Sequence, residues 1–166
     1  MSIRVLFSVC LGSVALAGCS SLLFNPVSAP KQASLSASFE GSGFQQFQCA
    51  VDQNGFYWRF IAPDVQIKDI NGHLYAKQGP DFAFTATDGS ALRAKITASE
   101  TSGSNSRMKD VLFEVSSQGN PTGKLSEFRW VKRTNATGGI PFASCRKENL
   151  GIFLKVPFRA TYEFYK

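Results

Sequence analysis

Between Phe47 and Phe164 apolar and polar residues alternate in short runs, and nearly every run is closed by turn chemistry. Phe47, Cys49 and Val51 share one side of the chain. Phe56, Trp58 and Phe60 do the same, followed by Val65 and Ile67, Phe82 and Phe84, Leu92, Ala94 and Ile96, Val111, Phe113 and Val115, Phe128 and Trp130, Ile152, Leu154 and Val156, and finally Phe158, Tyr162 and Phe164. A two-residue period puts such side chains on one face of a half-buried strand. Asn54-Gly55, Asn71-Gly72 and Asp88-Gly89 are hairpin signals, because these residues tolerate positive φ. Asn54-Gly55 and Asn71-Gly72 are 17 residues apart, as are Pro63-Asp64 and Pro80-Asp81, which reads as a meander of short antiparallel strands. Pro63, Pro80, Pro121 and Pro157 read as breaks. No run carries a 3.6-residue period. The expected fold is all-β: an antiparallel β-sandwich or flattened barrel of about nine to ten short strands.

The amino end is of another kind. Arg4 precedes an apolar run from Val5 to Ala17, about 13 residues long and too short to span a bilayer of about 30 Å. The run ends in Leu16-Ala17-Gly18-Cys19, which resembles a lipobox: small residues before the cleaved bond, then a cysteine whose thiol and new amine accept acyl chains. Residues 1–18 are thus expected to be a lipoprotein signal peptide, residues 19–42 an acylated tether rich in Ser, Ala and Pro, and residues 43–166 a single β-domain. Leu22, Leu23 and Phe24 can dip into a membrane interface. Each buried CH₂ contributes about 0.8 kcal/mol, so a multiply acylated Cys19 would hold the membrane stably. Ser20 stands where an inner-membrane retention signal would have Asp, which favours the outer membrane, with the periplasmic face expected ahead of the cell surface.

Export sets the reading of cysteine and charge. Cys10 leaves with the signal and Cys19 takes lipid, so Cys49 and Cys145 remain to pair in an oxidising compartment. The net charge of +6 is uneven: Lys124 to Lys166 holds 9 Lys/Arg and 3 Asp/Glu, whereas Cys19 to Gly123 holds 8 basic and 9 acidic residues. A basic last quarter suits an anionic partner such as anionic lipid, lipopolysaccharide or peptidoglycan, or is a set of solvated faces. Nucleic acid is not expected for an exported chain.

Catalytic chemistry is thinly represented. The chain has one histidine, His73, with no Gly-x-Ser-x-Gly elbow beside it. One His and two paired Cys are too few for a zinc site, and no metal or cofactor is expected. Asp64, Asp81 and Asp88 fall at turns, where Asp bonds its own backbone, and no catalytic set is assigned to them or to Asp69. Arg133, Asn135, Gly138, Gly139 and Arg146, in and around the long connection from Thr134 to Gly151, form the candidate ligand loop. Its alternative role is to let Cys145 reach Cys49.

From Gly43 to Tyr165 the chain resembles the bacterial and fungal family called domain of unknown function 3455. The resemblance rests on Phe47-Gln48-Cys49, Ala62-Pro63, Gly79-Pro80, Asp88-Gly89-Ser90, Arg133-Thr134-Asn135 with Gly138-Gly139, Pro141, Cys145, Val156-Pro157-Phe158 and Tyr162-Glu163-Phe164-Tyr165. It implies an exported β-domain and carries no activity or cofactor. Where family members often place a His and a Trp around the Gly-Pro motif, this chain has Ala76 and Phe82. The expected function is a non-enzymatic binding or interaction module for an anionic envelope component. A cell-wall or lipid hydrolase built on Asp88, Ser90 or His73, and a structural subunit of an envelope complex, are the alternatives.

Overall fold

The computed structural model describes residues 27–100 and 108–166. The expected signal peptide and Cys19 lie outside the described residues. Eight strands follow in chain order: β1 Leu35–Asp52, β2 Gly55–Lys68, β3 Leu74–Gln78, β4 Phe84–Thr85, β5 Ser90–Glu100, β6 Asp110–Gly119, β7 Trp130–Gly138 and β8 Phe153–Tyr165. Each pairs antiparallel with the next, and β8 returns to pair with β1, closing a barrel. The fold is all-β, as expected, and of the two architectures the sheet adopts the closed one. Short 3-10 turns at Pro80–Phe82 and Lys147–Asn149 are its helical pieces among the described residues.

The strands number eight because two expected breaks do not break. β2 runs through Pro63 and β8 through Pro157. Pro63 sits beside a bulge at Gln46/Phe47, in the part of β2 that β3 does not pair. Proline is tolerated there because few ladder bonds are lost. The carbonyl of Pro157 accepts the Gly139 N–H at 2.8 Å where β7 ends. β1 also starts at Leu35, inside the stretch read as tether. Its inward residues there are small or aromatic: Ala37, Phe39 and Gly41. A Cβ on Gly41 would overlap the Tyr162 ring, so this glycine is a packing requirement and not a linker residue.

An eight-stranded barrel is just wide enough for side chains to fill it, and these do. Phe84, Phe113, Phe164 and Tyr162 meet in edge-on and tilted pairs near the axis, with Ile67, Leu92 and Val131 around them. The lower end, where β1 begins and β8 ends, is plugged by Leu125 and Phe128 from the β6–β7 connection. Asp88 ties that plug down. Its carboxylate accepts the Ser90 N–H at 3.1 Å, the Ser90 hydroxyl at 2.6 Å and the Lys124 N–H at 2.8 Å, while Ser90 Oγ accepts the Leu125 N–H at 3.2 Å. At the upper end β1 and β2 project beyond their neighbours as a long hairpin. The Cys49–Cys145 disulfide bonds that hairpin to the β7–β8 connection, with Cα atoms 5.4 Å apart.

Two outcomes follow from these ties. The disulfide closes a separation of 96 residues, so the Cys49→Ser/Cys145→Ser double variant should lose about 3–5 kcal/mol of stability in a denaturant titration under oxidising conditions; coincident curves for variant and wild type would contradict this. Hydrogen bonds from Ser90 and Lys124 hold the Asp88 carboxyl down at about 2, against an ordinary value of 3.8. A folded-state value below the unfolded one gives stability that is present above pH 3.8 and lost as pH falls towards 2. Asp88→Asn should therefore unfold more easily than wild type at pH 6, with the gap closing near pH 2; a gap independent of pH would show that the carboxylate charge is not what holds the plug.

Candidate functional site

The residues of the expected ligand loop do not converge. Arg133 points into the barrel and is 2% exposed. Its Nη2 donates to the Lys109 carbonyl at 2.9 Å, and its guanidinium lies over the Phe158 ring, 5.5 Å from the centroid. Burial pulls its pKa down, opposed by the neighbouring Tyr162 and Asp110. Tyr162 in turn donates to Gln78 Oε1 at 2.8 Å, and burial pushes its hydroxyl pKa upward. Arg133 is thus a core residue and not a surface contact, which corrects its place in the loop. Together with buried Gln45 and Gln78 it forms a polar layer in the upper half of the interior.

Asn135 sits in a bulge of β7 between Thr134 and Thr137, with φ 54°. Asn accepts that left-handed conformation more readily than most residues. The bulge turns Ala136 inward and aims the Asn135 amide at Thr161 Oγ1, 3.5 Å away. Gly138 and Gly139 both have positive φ, 69° and 78°. A Cβ on Gly138 would overlap the Pro157 carbonyl, and one on Gly139 would press on Met108 and Phe158. These glycines let β7 end flush against β8. Arg146 is exposed on the upper connection, next to Cys145, whereas Arg133 is buried in the core.

Of the hydrolase residues, Asp88 and Ser90 meet in the lower plug, and His73 pairs with Asp69 instead. Ser90 is 1% exposed, and its hydroxyl is engaged by Asp88 and Leu125. His73 stands on the β2–β3 turn with Nδ1 3.4 Å from Asp69 Oδ2, and the Asp69 carboxylate also accepts the backbone N–H groups of Asn71 and His73. Those bonds, that of His73 foremost, lower the Asp69 pKa. Ala76 and Phe82 are packing residues: Ala76 is fully buried, and Phe82 stacks on Phe60 at 5.7 Å. Among the described residues no three His, Cys, Asp or Glu side chains group as metal ligands.

The basic residues of the last quarter spread over the whole barrel. Lys132 faces Glu163 at 3.7 Å, Lys166 pairs with Glu127, and Lys124 lies over the Tyr75 ring. Arg129 bonds the carbonyls of Ser126 and Phe128. Lys155 and Arg159 are left on the outer wall of β8, where alternation sets them opposite the buried Val156 and Phe158. Register places Gln46 beside Lys155, Phe44 beside Pro157 and Ser42 beside Arg159. Phe44 is 40% exposed and has the Lys155 ammonium 5.9 Å from its ring centroid. Between them the wall is hollowed into a depression of about 530 Å³ lined by Ser42, Phe44, Thr137, Gly138, Pro157 and Arg159. Lys155 Nζ is 3.9 Å from Asp64 Oδ2, but both side chains are more than half exposed, so water screens the pair. Of the expected loop only Gly138 lines this hollow. The sequence signal for the rest was the Lys155-Pro157-Arg159 alternation.

Neither the curated proteins nor the solved structures give a match to the chain. The model of the family described as Protein of unknown function (DUF3455) matches residues 64–166, which covers β3 to β8, most of the hollowed wall and the last residues of β2. This chain, matched over more than half its length, belongs to that family.

Proposed function

We propose that the chain is an envelope lipoprotein, held by an acylated Cys19 to the outer membrane on its periplasmic face, that binds an anionic envelope component without transforming it. The lipobox-like Leu16-Ala17-Gly18-Cys19 supports the anchor. The observation that carries the binding role is the wall depression, lined by Arg159 and the exposed ring of Phe44, with Lys155 over that ring. Cations beside an aromatic face suit a phosphate or carboxylate attached to an apolar or sugar body. Anionic lipid, lipopolysaccharide and peptidoglycan all offer that combination. The filled interior favours binding on the outside of the barrel, and the seating of Ser90 within the lower plug gives its hydroxyl a structural task.

Cations at an anionic surface contribute about 1 kcal/mol each. Lys155→Gln/Arg159→Gln should therefore weaken binding to vesicles containing anionic lipid, or to purified lipopolysaccharide, by about thirtyfold (from about 2 kcal/mol at a tenfold per 1.4). Wild-type binding should fall steeply with salt and that of the variant less so. Both side chains are exposed, so the unfolding curve should not move. Undiminished binding by the folded variant to lipid, lipopolysaccharide and peptidoglycan fragments alike would remove this reading.

A further inference from the structure

Around the hollow the outer wall is ordered in rows, because register aligns the outward side chains of β1, β8 and β7. Arg159 pairs with Ser42 on one side and with Thr137 on the other, and all three are exposed. Directly paired residues stand about 5 Å apart across strands, so two hydroxyls flank one guanidinium. Two residues back along β8, a distance of about 7 Å, Pro157 pairs with Phe44, and both are again exposed. Between the two rows the floor is the backbone of Gly43 and Gly138. Past Phe44 the wall turns polar: Gln46 pairs with Lys155, whose ammonium lies 3.9 Å from Asp64. It is polar on the other side of Arg159 as well, where Thr161 Oγ1 donates to Glu40 at 3.0 Å and Asn135 Nδ2 donates to Thr161 at 3.5 Å. The apolar part of the hollow is therefore a single row, Phe44 with Pro157.

That order discriminates among the anionic envelope components. A guanidinium alone can hold both oxygens of a carboxylate, whereas a further hydroxyl donor on each side suits a phosphate, which turns three oxygens towards one face. The body that carries the phosphate then falls on Phe44 and Pro157. An acyl chain leaving the Arg159 row would cross this one apolar row and run into Lys155, Gln46 and Asp64. A pyranose ring fits better: its C–H face is apolar and one row wide, and its rim of hydroxyls meets the polar groups beyond. We infer that the hollow takes a phosphate borne directly on a sugar ring, the phosphate against Arg159, Ser42 and Thr137 and the ring on Phe44 and Pro157. Of the three components, lipopolysaccharide carries that unit; phospholipid has its phosphate on a glycerol, and peptidoglycan offers carboxylates on its sugars and peptides. This assignment deepens the preceding reading of the wall and rests on it.

The test titrates the full chain, in neutral detergent, with small soluble probes read by ligand-observed NMR. The probes are N-acetylglucosamine 1-phosphate, N-acetylglucosamine, inorganic phosphate, glycerol 3-phosphate and N-acetylmuramic acid. The sugar phosphate should bind at least about tenfold more tightly than each of the others, which lack either the phosphate or the ring. Arg159→Gln should bring it down to the level of N-acetylglucosamine, and Phe44→Ala to that of glycerol 3-phosphate. Thr137→Val, which keeps the shape and removes a donor, should narrow the preference over N-acetylmuramic acid. All three positions are exposed, so the unfolding curves should coincide with that of wild type. Equally tight binding of glycerol 3-phosphate assigns the hollow to a phospholipid headgroup, of N-acetylmuramic acid to peptidoglycan, and of inorganic phosphate to a free anion. Each of these overturns the sugar-phosphate assignment and leaves the anionic wall site standing. So does failure of every probe to bind while lipopolysaccharide still binds through Lys155 and Arg159. If Lys155→Gln/Arg159→Gln binds lipopolysaccharide and anionic vesicles as wild type does, the reading of the wall fails, and this assignment with it.

Discussion

Pairing of β1 with β8 is the constraint from which the rest of the molecule takes its form. β1 is 18 residues long and forms a ladder with β2 along one side and with β8 along the other. Closing the ring removes the free sheet edge everywhere but along the projecting β1–β2 hairpin, an edge being a risk that open sheets must otherwise manage. Closure also fixes the inside. Tyr162 has room to reach Gln78 because Gly41 lacks a side chain, and the two residues, on strands β8 and β3 that do not pair with each other, meet across the interior of the closed ring. The ends are then dealt with separately. The lower end is plugged by Leu125 and Phe128 through the Asp88–Ser90 bonds, and the upper end is stapled by Cys49–Cys145.

Much of this was legible in local patterns. Alternation and the three hairpin dipeptides specify an antiparallel meander, and the export argument specifies the Cys49–Cys145 pair. What was not legible depends on partners far along the chain. Pro63 and Pro157 look like strand breaks until a bulge and a finished neighbour make their missing N–H groups harmless. The stretch Leu35–Ser42 looks like a linker because its inward residues include small ones matched to a large ring opposite. The inward orientation of Arg133 is not visible in the local pattern. Trp130 suggested an inward face, yet it lies on the outer wall, covered by Val27, so Val131 and Arg133 are the inward residues. A one-residue slip exchanges every side chain between the two faces, and here it moved a cation from the surface into the core.

That exchange changes where a ligand can be met. A buried guanidinium is costly unless its donors are satisfied and its charge is offset; here the Lys109 carbonyl, the Phe158 ring and nearby Asp110 do part of this. The interior is occupied, and the polar layer of Gln45, Gln78, Arg133 and Tyr162 organises its upper half. The proposed binding is accordingly placed on the outer wall, at the hollow lined by Arg159 and Phe44 with Lys155 beside it.

The account turns on the barrel being a filled body that meets its partners from outside. Hydrogen exchange of the full chain, compared with and without vesicles containing anionic lipid, tests this most directly. Protection is predicted to rise along Ser42–Phe44 and Lys155–Arg159, while the amides of β3, β4 and β5 exchange as before. Protection that changes chiefly around Gln45, Gln78 and Arg133, with the outer wall unaltered, would place the ligand inside the barrel and contradict this reading.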